Sequence, residues 1–206
     1  MSTEEHVEPQ AALPAAAGPG QRLRRAARRE QILAAATRAF ARGGFAATNL
    51  DDVAAEAGIS RVILYRHFES KTDLYRAVLE RAVARLIAAV GAGGYTPESV
   101  DALIGAAAAD PAGFRLLFQH AAREPEFQQQ MEAFQASMTA VAYRQLAEII
   151  PDPSWARWAA QLAPTVGVEA IIAWLDVGQP DREEAAGRIL QALAGLILAA
   201  QGLNSG

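Results

Sequence analysis

The residues best suited to chemistry crowd into one stretch of this 206-residue chain, Gly58-Ile-Ser-Arg-Val-Ile-Leu-Tyr-Arg-His-Phe68, followed by Glu69-Ser-Lys-Thr-Asp-Leu74. What they offer is recognition rather than bond making. Arg61 carries a guanidinium fork that suits the O6 and N7 acceptors of guanine, which gives it the leading role in reading bases. Val62 and Ile63 can contact thymine methyls or pack inward. Thr48, Asn49 and Lys71 fall at helix starts, where side-chain and backbone donors meet phosphate together. Bond-making chemistry has no comparable set. There is no cysteine, so neither a disulfide nor a thiolate metal site can form. His6, His67 and His120 are too far apart for metal-ligand spacing. No nucleophile elbow, phosphate-binding glycine pattern or His-Glu cluster is present. No catalytic residue, metal or cofactor is expected.

Positioning a base-reading side chain takes a short helix with one face packed and the other free. Leu64 and Phe68, four apart, supply the packed face with Ile59, and Arg61 and Tyr65 face out. Gly58 permits the left-handed turn before this helix, Ser60 is placed to cap it, and it runs to about Phe68. The preceding helix follows Thr48-Asn49, with Asp52 near its positive end and Leu50, Val53, Ala54 and Ala57 as its apolar positions. Before it, a helix with Ile32, Ala36, Ala39 and Phe40 at helical intervals ends at Gly43-Gly44. Ser70 caps a longer fourth helix carrying Leu74, Val78, Ala82, Leu86 and Ala89, which ends at the Gly91 to Gly94 cluster.

Charge divides along the chain. Residues 21–76 hold 11 Lys and Arg against 6 Asp and Glu, and the remainder holds 8 against 17, for the overall −4. A basic module joined to an acidic remainder is expected when only one end faces nucleic acid. Arg22, Arg24, Arg25, Arg28 and Arg29 open that module, either as an arm toward the minor groove or phosphates or as a solvated helix start. Residues 1–21, with Pro9, Pro14 and Pro19 and no apolar period, read as a disordered tail. No run of about 18 apolar residues is free of charge, and no signal pattern opens the chain, so a cytoplasmic protein without membrane contact is expected.

The run from Gly58 to Leu74 resembles the signature of the tetracycline-repressor (TetR) family: a turn Gly, a capping Ser, Leu-Tyr-x-His-Phe, then Lys-x-x-Leu. At motif level the likeness covers about residues 28–80. It implies an all-α protein with a three-helix, helix-turn-helix domain over residues 22–70 (motif about 49–68). A long fourth helix then links it to a helical ligand-binding and dimerisation domain over 71–206. It also implies that Tyr65 and His67 donate to phosphate oxygens, whereas taken on their own both residues fit better as amphipathic bridges between core and surface. Val62-Ile63 departs from the small residues common in the family, which bears on base specificity.

Beyond the motif, helices are expected from Pro97 to about Ala109, from Asp110-Pro111 through Arg123, from Pro125 to Ile150, from about Ser154 to Leu175 with a possible kink at Pro164, and over about 181–202. The resemblance implies a small-molecule cavity among the middle helices. The candidates are Phe114, Phe118, Phe134, Met138 and Trp158, with Gln119 and His120 to orient the ligand, although most such residues in a helical domain are core. The last two helices, with Trp174, Leu175, Ile189, Leu193, Leu196 and Ile197, resemble the family's dimerising pair. The expected partners are double-stranded operator DNA, a second copy of the chain and an unidentified ligand. The rival reading is a DNA-binding dimer without a sensor.

Overall fold

The computed structural model describes residues 19–91 and 96–202. Residues 1–18 of the tail expected from the sequence lie outside the described residues, whereas 19–21 are already helical. Nine α-helices follow in the described residues: α1 Pro19–Ala47, α2 Leu50–Glu56, α3 Arg61–Tyr65, α4 Lys71–Val90, α5 Pro97–Ala109, α6 Pro111–Arg115, α7 Gln128–Ile149, α8 Pro153–Asp176 and α9 Arg182–Ala200. No strand occurs among these residues.

Local rules set most of the boundaries. Asn49 and Asp52 form a reciprocal capping box on α2, each side chain accepting the other residue's backbone N–H. Thr96 and Ser99 do the same on α5, and Ser70 accepts from the Asp73 N–H to start α4. Gly44 interrupts α1 with φ +72°, and Gly58 makes the turn before α3 with φ +63°, a region a Cβ disfavours. Two expectations change. Ser60 occupies the cap position of α3 but its side chain makes no capping bond, and α3 ends at Tyr65, three residues before Phe68.

The segment after α6 departs further from a simple helix. Leu116–His120 forms a π turn and Ala121–Arg123 a 3-10 turn, with another 3-10 turn at Pro125–Phe127. The wide turn shifts the helical phase. Across this segment Phe114 belongs to one core while Leu116, Leu117 and Ala121 belong to another.

Those two cores organise the molecule. The first joins Ile32, Leu33, Ala36 and Phe40 of α1, Leu50 and Val53 of α2, Leu64 and Phe68 around α3, and Leu74, Tyr75, Val78 and Leu79 of α4. Leu116, Leu117, Phe127 and Met131 enter it from later in the chain. The second is built from α5, α7, α8 and α9, with Ile104, Leu146, Ile171, Trp174 and Ile189 among its members. Leu86 on α4 packs against both. Helix α8 continues through Pro164; it is long and apolar enough to cross a membrane, yet 56% of its apolar window lies inside the fold.

Candidate nucleic-acid interface

The exposed surface around α3 collects what the sequence placed there. Val62 is 64% exposed and Tyr65 44% exposed, while Leu64 and Phe68 behind them are buried. Ile63 is half-buried. Arg61 reaches Asp51 on α2 at 3.0 Å and the Tyr65 hydroxyl at 3.3 Å, its guanidinium lying 5.5 Å from the Tyr65 ring centroid. Both members of the Arg61–Asp51 pair are more than half exposed, so the pair adds little stability and can yield its guanidinium to a base edge. Asn49 is exposed, its side-chain oxygen accepting the Asp52 N–H at the start of α2. His67 is half-buried, and its pKa is held below the usual histidine value first by burial and then by Arg25, Arg29 and Arg28. The neutral imidazole is thereby favoured near pH 7.

Two expected phosphate contacts sit elsewhere in the hydrogen-bond network. The Lys71 ammonium donates to the carbonyls of Phe45 at 2.9 Å, Thr48 at 3.2 Å and Ala46 at 3.3 Å. Three donors meet three acceptors, so none remains for phosphate. The same amine lies 4.5 Å from the Phe45 ring centroid. Lys71 therefore clips the α1–α2 turn to the start of α4. Thr48 is buried, its hydroxyl donating to Gly44 O at 2.8 Å and in reach of Ala39 O at 3.3 Å. Both side chains are spent on the turn between α1 and α2.

Sequence reasoning missed the braces. Glu56 on α2 receives Arg38 and Arg42 of α1 at 2.8 and 2.6 Å. On α4, Arg81 and Arg85, one turn apart, both engage Glu30 of α1 and Asp110 at the start of α6. The hydrogen bond from Arg81 is the main reason the Glu30 carboxyl sits below the ordinary range. Two arginines at i and i+4 on the polar side of an apolar helix were the available signal.

Further along α4, an open cleft of about 290 Å³ is lined by Leu86, Ile87, Val90 and Gly91 of α4, Val100 and Leu103 of α5, Phe134 and Met138 of α7, and residues of α8 and α9. Of the seven ligand candidates, only Phe134 and Met138 line it. Phe114 is buried against Phe118, ring centroids 4.7 Å apart, and Phe118 in turn stands 6.0 Å from Phe134. Gln119 and His120 are half-buried on the π turn outside the lining. Trp158 pairs with Trp155 at the surface, centroids 5.6 Å apart.

The dimer candidates also divide. Trp174, Leu175, Ile189 and Leu193 are buried within their own protomer, and Leu196 and Ile197 are half-buried. The Trp174 indole N–H is tied down at 2.8 Å by the Pro180 carbonyl. What α8 and α9 leave outside is a face of small and apolar residues, including Ala173, Val177, Ala192, Gly195 and Leu198. A hydropathy pattern shows that such helices are apolar nearly all round, not which side their own protomer covers.

A short exposed helix behind a glycine turn, braced on two others and followed by a long helix into a second helical core, is the arrangement of a helix-turn-helix domain. Residues 32–78 match the family described as bacterial regulatory proteins, tetR family. The HTH-type transcriptional activator FasR of Mycolicibacterium smegmatis is 38% identical over 109 residues, 49% of this chain and 50% of that protein. The HTH-type transcriptional repressor SCO4008 of Streptomyces coelicolor is 34% identical over 93 residues, 45% of this chain and 48% of that one. The chain thus spans about half the length of these curated relatives. A TetR-like transcriptional regulator from Rhodococcus sp. RHA1 shares the fold, with TM-score 0.72 at 23% identity over 84% of this chain and 97% of that one. Residues 32–78 thus carry the DNA-binding domain of that family, and the fold of the described residues is the one its solved members have.

Proposed function

We propose that the protein is a homodimeric transcriptional regulator whose α3 reads a palindromic operator and whose α4–α9 domain releases or retains DNA according to a small ligand. One observation carries the ligand part: α4 starts at Lys71, capped by Ser70 just after the reader, and its last turns line the 290 Å³ cleft. A rigid helix of 20 residues spans both regions. In a dimer a small tilt of each α4 changes the separation of the two α3 helices, which must match half-sites about 34–36 Å apart. A ligand that binds the misaligned state better weakens DNA binding, and a coupling of about 1–3 kcal/mol changes affinity roughly 5- to 150-fold.

In this reading Arg61 reads bases, Val62 and Ile63 touch thymine methyls, and Asn49, Tyr65 and His67 hold phosphates. Thr48 and Lys71 position the turn. The exposed face of α8 and α9 pairs with its twin, which fits two readers to one two-fold operator. Regulation of this kind acts on the chromosome, in the cytoplasm. Repression relieved by ligand is favoured by the family likeness, although the relatives include an activator as well as repressors.

Linkage supplies the test. Compounds that raise the melting temperature or alter tryptophan fluorescence identify a ligand. Its affinity is then measured with and without saturating operator. The expected result is that operator weakens ligand binding by the same factor by which ligand weakens operator binding. Ligand affinity unaffected by bound operator would leave the α4–α9 domain with dimerisation alone.

A further inference from the structure

Helix α1 overshoots the domain it serves. Its buried stripe begins at Ile32, and every residue from 20 to 31 is exposed, about 18 Å of helix at 1.5 Å per residue. That overhang carries Arg22, Arg24, Arg25, Arg28 and Arg29 against one acid, Glu30, which is engaged by Arg81 and Arg85. Among the described residues, Arg24, Arg25, Arg28 and Arg29 form no ion pair; Arg28 donates to Gln31 at 2.9 Å. The first turn holds no acid, so the cations gather at the positive end of the helix, where an isolated helix is weakened by them. Their arrangement suits an anionic partner instead.

The direction of the row is fixed by geometry. Arg22, Arg25 and Arg29 recur at helical spacing and extend the line of Leu33, Ala36 and Phe40, the face that packs on the rest of the DNA-binding domain. The Arg29 guanidinium lies 5.0 Å from the ring centroid of Phe68, the neighbour of His67. His67 in turn feels Arg25, Arg28 and Arg29 electrostatically. The arginine row therefore runs on from the far end of the reader.

We infer that residues 20–31 of α1 form a phosphate-tracking arm that lies along the DNA backbone beside the major-groove site and adds affinity without sequence choice. This rests on the DNA-binding reading above. A helix about 10–12 Å across does not enter a minor groove about 6 Å wide, so only the side chains reach the DNA, and they meet phosphates. Phosphate contacts carry no sequence information directly.

The test measures the full chain on a random-sequence duplex of about four helical turns by fluorescence anisotropy over a salt series. Replacing Arg24, Arg25 and Arg28 together with Gln should lower the slope of log affinity against log salt by about two to three units per protomer, near 0.9 per lost contact. Helix content and melting temperature should stay as in the parent, and the corresponding triple Lys variant should restore the slope. A parent that binds no duplex overturns both this inference and the DNA-binding reading. A parent that binds with a slope unchanged by the Gln variant overturns the arm alone. So does a Gln variant that keeps the parental slope yet no longer binds phosphatidylserine-containing vesicles, which assigns the row to a membrane surface.

Discussion

The two cores differ in how their polar groups are used. Behind the reader a set of strong donors is committed: Lys71 to three carbonyls, Thr48 to the end of α1, Arg38 and Arg42 to Glu56, Arg81 to Glu30 and Asp110. Around α5, α7, α8 and α9 the interior is almost wholly apolar, and it leaves an open cleft at the end of α4 and an uncovered face on α8 and α9. On the proposed function, the region that would hold base-reading side chains in register is fixed by directional bonds, and the one that would take a ligand and a second copy is held by apolar packing.

The largest effect should come from the uncovered face. Ala173→Glu with Leu198→Glu changes residues exposed in the protomer, so the fold should persist while sedimentation shows monomers. Affinity for a two-site duplex should then fall by about 10²- to 10⁴-fold through lost linkage. A double variant that remains dimeric would place the interface elsewhere. Leu193 does not serve this test, because its burial means that a charge there unfolds the protomer.

The next effect separates a clip from a phosphate contact. Lys71→Ala should lower stability by about 1.5–3 kcal/mol in urea unfolding, since three carbonyls lose a charged donor. The folded variant should keep the parental salt slope on DNA. A stable protein whose slope drops by about one unit would return Lys71 to the DNA surface.

The smallest effect concerns Tyr75, whose ring is buried among Phe40, Phe45 and Phe127 and whose hydroxyl has no hydrogen-bond partner among the described residues. Burial, reinforced by Glu124, pushes its pKa well above the usual phenol value. Tyr75→Phe keeps the packing and removes an unmet polar atom, so stability should be unchanged or rise by up to about 1 kcal/mol. A clear loss would show that the hydroxyl has a partner.

These contrasts also mark what was legible in the sequence. Capping and turn chemistry act over three or four residues, so Asn49 with Asp52, Gly58 and Ser70 could be read directly, and the all-helical order with them. The Lys71 clip joins residues 23 to 26 positions apart, and nothing local separates a lysine that faces carbonyls from one that faces phosphate. The π turn at Leu116–His120 carries no sequence signal of its own, so the regular helix expected through Arg123 could not be told from the broken one. On α9, Ile189 and Leu193 carry the hydropathy signal, yet the outward positions are the small residues Ala192 and Gly195, which carry almost none.

The central claim is that two copies of α3 read one two-fold operator, with Arg61 choosing bases. Selection of bound duplexes from a random pool, run with the full chain and with Arg61→Ala, tests it most directly. The parent should enrich an inverted repeat with half-site centres about 10–10.5 base pairs apart, or a multiple of that, and with a fixed guanine in each half. Arg61→Ala should retain the repeat while losing about 1–3 kcal/mol of preference at that guanine. Enrichment of a single unrepeated site, or of no sequence at all, would contradict it.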